Sequence, residues 1–178
     1  MNTSDIKDLL EYKYNNNIIR NNGTIEIQNC HFICDKPYIV SGVSCDFDMQ
    51  WYVENYVPII EENQQIEEVV NKIVEDRNTR QAVICMANPK EHKSGGYICT
   101  MYMQTFLNDD NHLKWIVNMR SNSVERFPVD YKFQETMFGF VARQLAERLN
   151  ESIICDPIEW NVGSMHIYEK SFHLLGKK

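Results

Sequence analysis

One mixed α+β domain, a β-sheet backed by a few helices, is the fold class this sequence predicts. Two apolar stretches repeat at helical spacing: Ile66, Val69, Val70 and Ile73 in one, and Met137, Phe138, Val141, Leu145 and Leu149 in the other. Around them lie short runs that alternate apolar with polar residues or concentrate β-branched and aromatic side chains, the pattern of strands. No internal repeat and no linker separates these runs, so 1–178 is read as one unit.

In chain order, 5–16 predicts a short amphipathic helix with Ile6, Leu9 and Leu10 on its apolar face. The polar stretch 14–23 predicts a loop. Residues 24–34 predict a strand, since Ile25 and Ile27 alternate with Thr24, Glu26 and Gln28. Pro37 interrupts, and 38–43 is expected to be a second strand. Residues 51–60 are apolar and aromatic, but Pro58 leaves their class open. A helix over 64–75 ends at Asp76-Arg77-Asn78-Thr79. A compact strand over 81–87 is closed by Asn88-Pro89 and the polar loop to Gly95-Gly96. Strands over 97–107 and 113–119 flank Asn108-Asp109-Asp110-Asn111, a four-residue hairpin signal. Pro128 opens the second long helix, and strands over 152–155 and 162–168 complete the sheet.

With 43% hydrophobic and 24% charged residues, the chain has the balance of a folded domain with a real core. Its net charge of −7 argues against general binding to nucleic acid, whose backbone demands basic surface. A mononucleotide is compatible, because one phosphate needs only a few local cations. No apolar run approaches the roughly 20 residues of a membrane helix, and Met1-Asn2-Thr3-Ser4-Asp5 lacks the features of a signal peptide. A cytoplasmic protein without a membrane partner is expected, with its six cysteines as free thiols. Cys30, His31, Cys34 and Cys45 are rejected as a zinc site, because no paired C-x-x-C is present and the segment suits strands better. No metal is expected.

The residues that carry chemistry come in three groups. Cys99 is followed five positions later by Gln104, Arg120 stands beside Ser121, and His166 precedes Tyr168 by two. They supply a soft nucleophile, a cation next to a hydroxyl, and two side chains on one face of a strand. Each has a plainer alternative. Cys99 lies among Ile98, Met101 and Met103 as a buried strand thiol would, a lone arginine is usually solvated, and a His and Tyr can satisfy each other in a core.

Taken in this order, the groups resemble the thymidylate synthase superfamily, which includes the deoxycytidylate and cytidylate hydroxymethylases. The similarity rests on Cys99 with Gln104, Arg120-Ser121, Pro128-Val129-Asp130 at a helix start, and Gly163 to Tyr168 as a Gly-x-x-His-x-Tyr strand. Asn78-Thr79-Arg80-Gln81 looks like the family's Arg-Arg segment, with Gln81 in place of the second arginine, and Arg20 is a candidate for the N-terminal one. The resemblance runs from about Ile66 to Tyr168 and implies a compact thymidylate synthase-like fold.

It also implies a function. Cys99 would add to C6 of a pyrimidine nucleoside monophosphate and make C5 nucleophilic. Arg120, Ser121 and Arg80 would grip the phosphate, with Arg80 reaching the site of the partner in a homodimer. His166 and Tyr168 would hold the sugar, and Gln104 would support the base or the nucleophile strand. Asp130 would read the base, and an aspartate there suits cytosine better than uracil; capping of the helix is its alternative. Asp48, in Asp48-Met49-Gln50-Trp51, stands where the family has a catalytic carboxylate, though an ordinary exposed Asp would look the same.

The one-carbon donor implied is 5,10-methylenetetrahydrofolate. The family's long segment after the first Trp run and its C-terminal tail, both on the folate side, have no counterpart here. The expectation is therefore a dCMP or CMP 5-hydroxymethylase. The alternatives are a nucleotide-binding protein without transfer chemistry, or a dUMP-using enzyme of the thymidylate synthase kind.

Overall fold

The computed structural model describes residues 1–34, 36–43, 48–87 and 98–176. Its described strands form one mixed sheet in the order β1-β7-β4-β3-β2, with two short strands attached. These are β1 (Thr24–Ile33), β2 (Val83–Cys85), β3 (Thr100–Leu107), β4 (His112–Met119) and β7 (Glu159–Tyr168), with β5 (Asn122–Ser123) beside β7 and β6 (Ile154–Cys155) beside β4. β1 runs antiparallel to β7, and β2, β3 and β4 form an antiparallel meander; β4 and β7 pair in parallel.

A parallel pair needs a crossover, and α5 (Phe127–Leu149) supplies it. This long helix lays Phe133, Phe138, Val141 and Leu145 on the inner face of the sheet. There Trp115 and Phe138 stack at 5.4 Å, and Phe127 meets Trp160 at 5.0 Å. Trp115 Nε1 donates to Gln134 Oε1 at 3.0 Å, so the buried indole N–H keeps a partner. Asn150, at φ +53°, ends the helix in the left-handed conformation that asparagine tolerates.

α1 (Thr3–Asn15) and α4 (Gln65–Glu75) match the helices expected from periodicity, to within two residues at each end. The Asn108–Asn111 turn joins β3 to β4, with Asn108 N donating to His112 O at 3.0 Å and Asn111 at φ +63°.

Two expectations are corrected. Residues 38–43 form no strand; Ile39 and Val40 are buried from a bend and turn, with Gly42 at φ +80°. Burial alone required those apolar residues, and an apolar run too short to show a period does not distinguish strand from buried loop. The expected strand over 81–87 shrinks to its three central residues. The open segment 51–60 is two short helices, α2 (Met49–Asn55) and α3 (Val57–Glu62), which meet at Tyr56. Pro58 sits in the first turn of α3, where its missing N–H costs no hydrogen bond. Asn88-Pro89, Gly95-Gly96, Tyr97 and Cys45 lie outside the described residues.

No described helix packs on the outer face of the sheet, which carries half-buried His166 and Asn161 and exposed Tyr102 and Tyr168. No described helix is long and apolar enough to cross a membrane, and no three His, Cys, Asp or Glu among the described residues are placed to hold a metal.

Candidate active site

The β3–β4 pairing brings Cys99, Arg120 and Ser121 to one end of the sheet. Cys99 immediately precedes β3 and Arg120 immediately follows β4, and the backbone joins them, with Arg120 N donating to Cys99 O at 2.9 Å. Cys99 Sγ lies 3.8 Å from Ser121 Oγ, to which Arg120 Nη1 donates at 3.2 Å. Arg120 Nε donates to Ile98 O at 3.3 Å. The thiol is half-buried and the guanidinium exposed. A nucleophile, a hydroxyl and a cation thus stand in one row.

Gly163 lets β7 approach this row. A Cβ on Gly163 would lie 2.7 Å from Arg120 O, a backbone atom with no freedom to retreat. Beyond it, the rings of His166 and Tyr168 meet edge to face at 5.0 Å. Val124 N donates to His166 O at 2.8 Å, and the buried Glu125 accepts from Tyr168 N at 3.1 Å. Burial holds the His166 imidazole below its ordinary pKa, so it is neutral at pH 7. Its Nδ1 lies 3.4 Å from Ser164 O, the tautomer that leaves Nε2 as an acceptor for a hydroxyl proton.

Asp130 lies in the first turn of α5 but caps nothing; the N-cap is Arg126, without a side-chain cap bond. The Asp130 carboxyl is 1% exposed and receives a 2.5 Å hydrogen bond from Tyr52 Oη on Oδ1. Arg126 Nε donates to Tyr52 Oη at 2.9 Å and lies 3.7 Å from Asp130 Oδ2. The Arg126 guanidinium rests on the Trp51 ring, 4.2 Å from its centre. Burial pushes the Asp130 pKa from 3.8 up to about 6, although Arg126, Tyr52 and Asn122 oppose the shift. The helix-cap alternative is overturned, because the helix end leaves this carboxyl to a tyrosine 78 positions earlier.

Among the described residues, eight buried side-chain polar atoms have no hydrogen bond of good geometry, and four of them are Tyr56 Oη, Thr100 Oγ1, Asn122 Oδ1 and Asp130 Oδ2. Thr100 adjoins Cys99, Asn122 adjoins Ser121, and Tyr56 lies near Asp130 and Cys99. Tyr56 meets Thr100 and Asn122 meets Asp130 without good geometry. Buried polar atoms are nearly always well partnered, so these groups form a polar floor that better-placed partners could satisfy.

Other expected residues lie apart. Asp48 is exposed and caps α2, accepting from Trp51 N at 3.1 Å. Gln104 Nε2 donates to Arg80 O at 3.0 Å, at the β2 edge of the sheet. The exposed Arg80 side chain makes no hydrogen bond or ion pair among the described residues, and Arg20 pairs with Glu26. A cavity of about 330 Å³ on the outer face, lined by Met101, Tyr102, Asn118, Arg120, Asn161 and Gly163 among others, reaches Arg120 but neither Cys99 nor Asp130.

No family profile matches this chain. It is distantly similar to curated phage enzymes. Deoxycytidylate 5-hydroxymethyltransferase of Enterobacteria phage T6 is 25% identical over 201 residues, covering 85% of this chain and 78% of the phage protein. The enzyme of the same name from Enterobacteria phage T4 is 24% identical over 198 residues, with the same coverage. An alignment of 201 positions that engages 85% of a 178-residue chain requires inserted segments in the relative that this chain lacks.

Sequence reasoning missed Tyr52, Tyr56, Thr100, Asn122 and Arg126. One signal for Arg126 was available, its i,i+4 spacing to Asp130 at a helix start. Nothing local marks Tyr52 as the partner of a carboxyl 78 positions away.

Proposed function

We propose that the chain is a transferase acting at C5 of a pyrimidine nucleotide, dCMP or CMP, through Cys99. The observation that carries this reading is the row Cys99–Ser121–Arg120 beside the underused polar floor that ends at Asp130. The distant similarity to deoxycytidylate 5-hydroxymethyltransferases supports it.

In this reading the Cys99 sulfur, as thiolate, forms a bond to C6, and the C5–C6 π electrons move toward C5 and the carbonyl. C5 becomes a carbon nucleophile that accepts a proton or attacks an electrophilic one-carbon carrier. Loss of the original C5 proton and elimination of sulfur from C6 restore the aromatic base. Asp130 faces N3 and the 4-amino group. Arg120 and Ser121 hold the phosphate, the neutral His166 accepts from a sugar hydroxyl, and Tyr168 donates to one. Asp48 relays the C5 proton through the oxygen its cap bond leaves free. Arg80 completes the phosphate grip from a second copy docked on the uncovered sheet face, with Gln104 fixing the Arg80 backbone.

The resemblance implies methylenetetrahydrofolate as donor. Trp51 is half-buried, with Arg126, Tyr52 and Tyr56 packed on it at 4.2, 5.1 and 5.6 Å, which leaves only part of its ring for stacking. No step is assigned to folate.

The test is release of tritium from C5-labelled dCMP and dUMP, which needs only nucleotide and thiol. Release from dCMP is expected, and Cys99→Ser should lower it by about 10⁴-fold or more. Saturable dCMP binding with no release would establish the second reading, a binder without transfer chemistry, which the missing inserted segments favour.

A further inference from the structure

Resting on that reading of Asp130, we propose that Tyr52, locked by Arg126, is a positioning residue that breaks the symmetry of the Asp130 carboxyl and thereby selects cytosine against uracil.

A neutral carboxylic acid is ambidextrous. With its proton on one oxygen it donates to N3 of cytosine and accepts from the 4-amino group. With the proton moved to the other oxygen, it accepts from N3–H of uracil and donates to O4. An aspartate free to exchange its proton between oxygens would therefore pair with either base.

Tyr52 removes that freedom. Its hydroxyl has one proton, and it already accepts from Arg126 Nε at 2.9 Å. That proton is given to Asp130 Oδ1 at 2.5 Å. Burial and the adjacent carboxylate push the Tyr52 pKa far up, so the hydroxyl stays a donor throughout the working pH range. The relay Arg126 Nε–H to Tyr52 O–H to Asp130 Oδ1 thus has a fixed direction. Oδ1 is held as an acceptor, and any proton on Asp130 must reside on Oδ2. Oδ2 is the oxygen with no hydrogen bond of good geometry; Arg126 approaches it at 3.7 Å, and the Asn122 side chain also reaches this carboxyl.

A base seated with N3 at Oδ2 and its 4-substituent at Oδ1 meets a donor and an acceptor, in that order. Cytosine offers the complementary acceptor and donor. Uracil offers a donor against a donor and an acceptor against an acceptor, and two such mismatches in a buried site are strongly disfavoured. Of the groups facing Asp130, Tyr52 comes from α2, Tyr56 from the α2–α3 junction, Asn122 from β5, and Arg126 from the start of α5. Of these, the Tyr52 hydroxyl supplies the 2.5 Å bond that fixes the role of Oδ1.

The experiment compares kcat/KM for tritium release from dCMP and dUMP in wild type, Tyr52→Phe and Arg126→Gln. Tyr52→Phe is expected to lower the dCMP/dUMP ratio at least tenfold, with the dUMP value rising, and Arg126→Gln to move it the same way by less. An equal loss on both substrates, leaving the ratio unchanged, marks Tyr52 as merely structural and overturns the proposal. A readout on the wild type stands should either variant fail to fold. Binding enthalpies measured at pH 7.5 in buffers of different ionisation heat should show more proton uptake with dCMP than with dUMP, and equal uptake also overturns it. Wild type that binds neither nucleotide sinks the reading of Asp130 itself. Wild type that prefers dCMP, with variants that keep the preference, sinks the Tyr52 inference alone.

Discussion

Asp48 and Asp130 occupy similar places in the chain, each a carboxylate at the start of a helix, and the fold treats them in opposite ways. At α2 the helix end uses Asp48, which is exposed and satisfies the free N–H of Trp51. At α5 no cap bond uses Asp130, which turns inward at 1% exposure to a tyrosine from α2 and the arginine at its own helix start. A helix start with a local cap is a solved structural problem. One whose carboxyl is desolvated while the cap position stays unused holds free energy in reserve for something outside the fold. The comparison teaches that the environment, not the local sequence position, separates the two carboxylates.

The largest effect that tests this contrast comes from Asp130→Ala. The methyl group removes both the acceptor at Oδ1 and the donor at Oδ2. Release from dCMP should fall by about 10²–10³-fold and release from dUMP by less, which erases the preference. Competition between the two labelled nucleotides checks it. A variant that keeps its dCMP preference would remove Asp130 from base reading and dissolve the contrast.

Asp130 also shows how far the sequence could be read. Cys99, Arg120-Ser121 and the His166-Tyr168 pair were legible because each lies in or beside a strand whose period fixes its face. The meeting of Cys99 with Arg120-Ser121 follows from the β3–β4 hairpin that Asn108–Asn111 announces, and β7 approaches that end through Gly163. The two long helices were legible for the same reason, a regular apolar stripe against the sheet. Tyr52 and Tyr56 were not. They sit in a segment whose apolar density reads equally as strand or helix, and their meaning comes from long-range contacts with Asp130 and Phe133. The 38–43 turn misled for a related reason, since Ile39 and Val40 are buried without belonging to any strand.

Next in size is Asp48→Asn, which separates the two duties given to that residue. Asn caps helices about as well as Asp, so the unfolding midpoint should hold. Proton relay by the carboxylate should be lost, lowering tritium release by about 10²-fold. Unchanged release would leave Asp48 as a cap alone, and the contrast between the two carboxylates would become complete.

A third effect belongs to Asp130 and is read in stability against pH. Its folded pKa, about 6, lies above the ordinary 3.8, so the folded state holds this proton more tightly than the unfolded chain does. The stabilising contribution of the neutral carboxyl is full below pH 3.8 and is lost as pH rises through about 6. The loss is on the order of 2–3 kcal/mol at neutral pH. Asp130→Asn does not ionise, so relative to wild type it should gain stability between these limits and hold the gain at pH 8. Urea unfolding of both proteins at pH 4, 6 and 8 measures this, and parallel curves would mean the carboxyl is already charged at acid pH.

The smallest effect sharpens the other side of the comparison. Asp48→Ala removes the acceptor for Trp51 N and should cost about 1 kcal/mol of unfolding free energy. Because the lost group is an exposed cap, that cost should stay nearly constant from pH 6 to 8, the range over which Asp48→Asn is silent in stability. The stability cost of this variant should not depend on dCMP concentration, whereas any variant that opens the Asp130 site should be rescued or worsened by the nucleotide according to its base. If the Asp48→Ala deficit instead grows as dCMP is added, Asp48 contributes to holding the nucleotide as well as to the cap, and the line between a capped helix start and a poised one has to be drawn elsewhere.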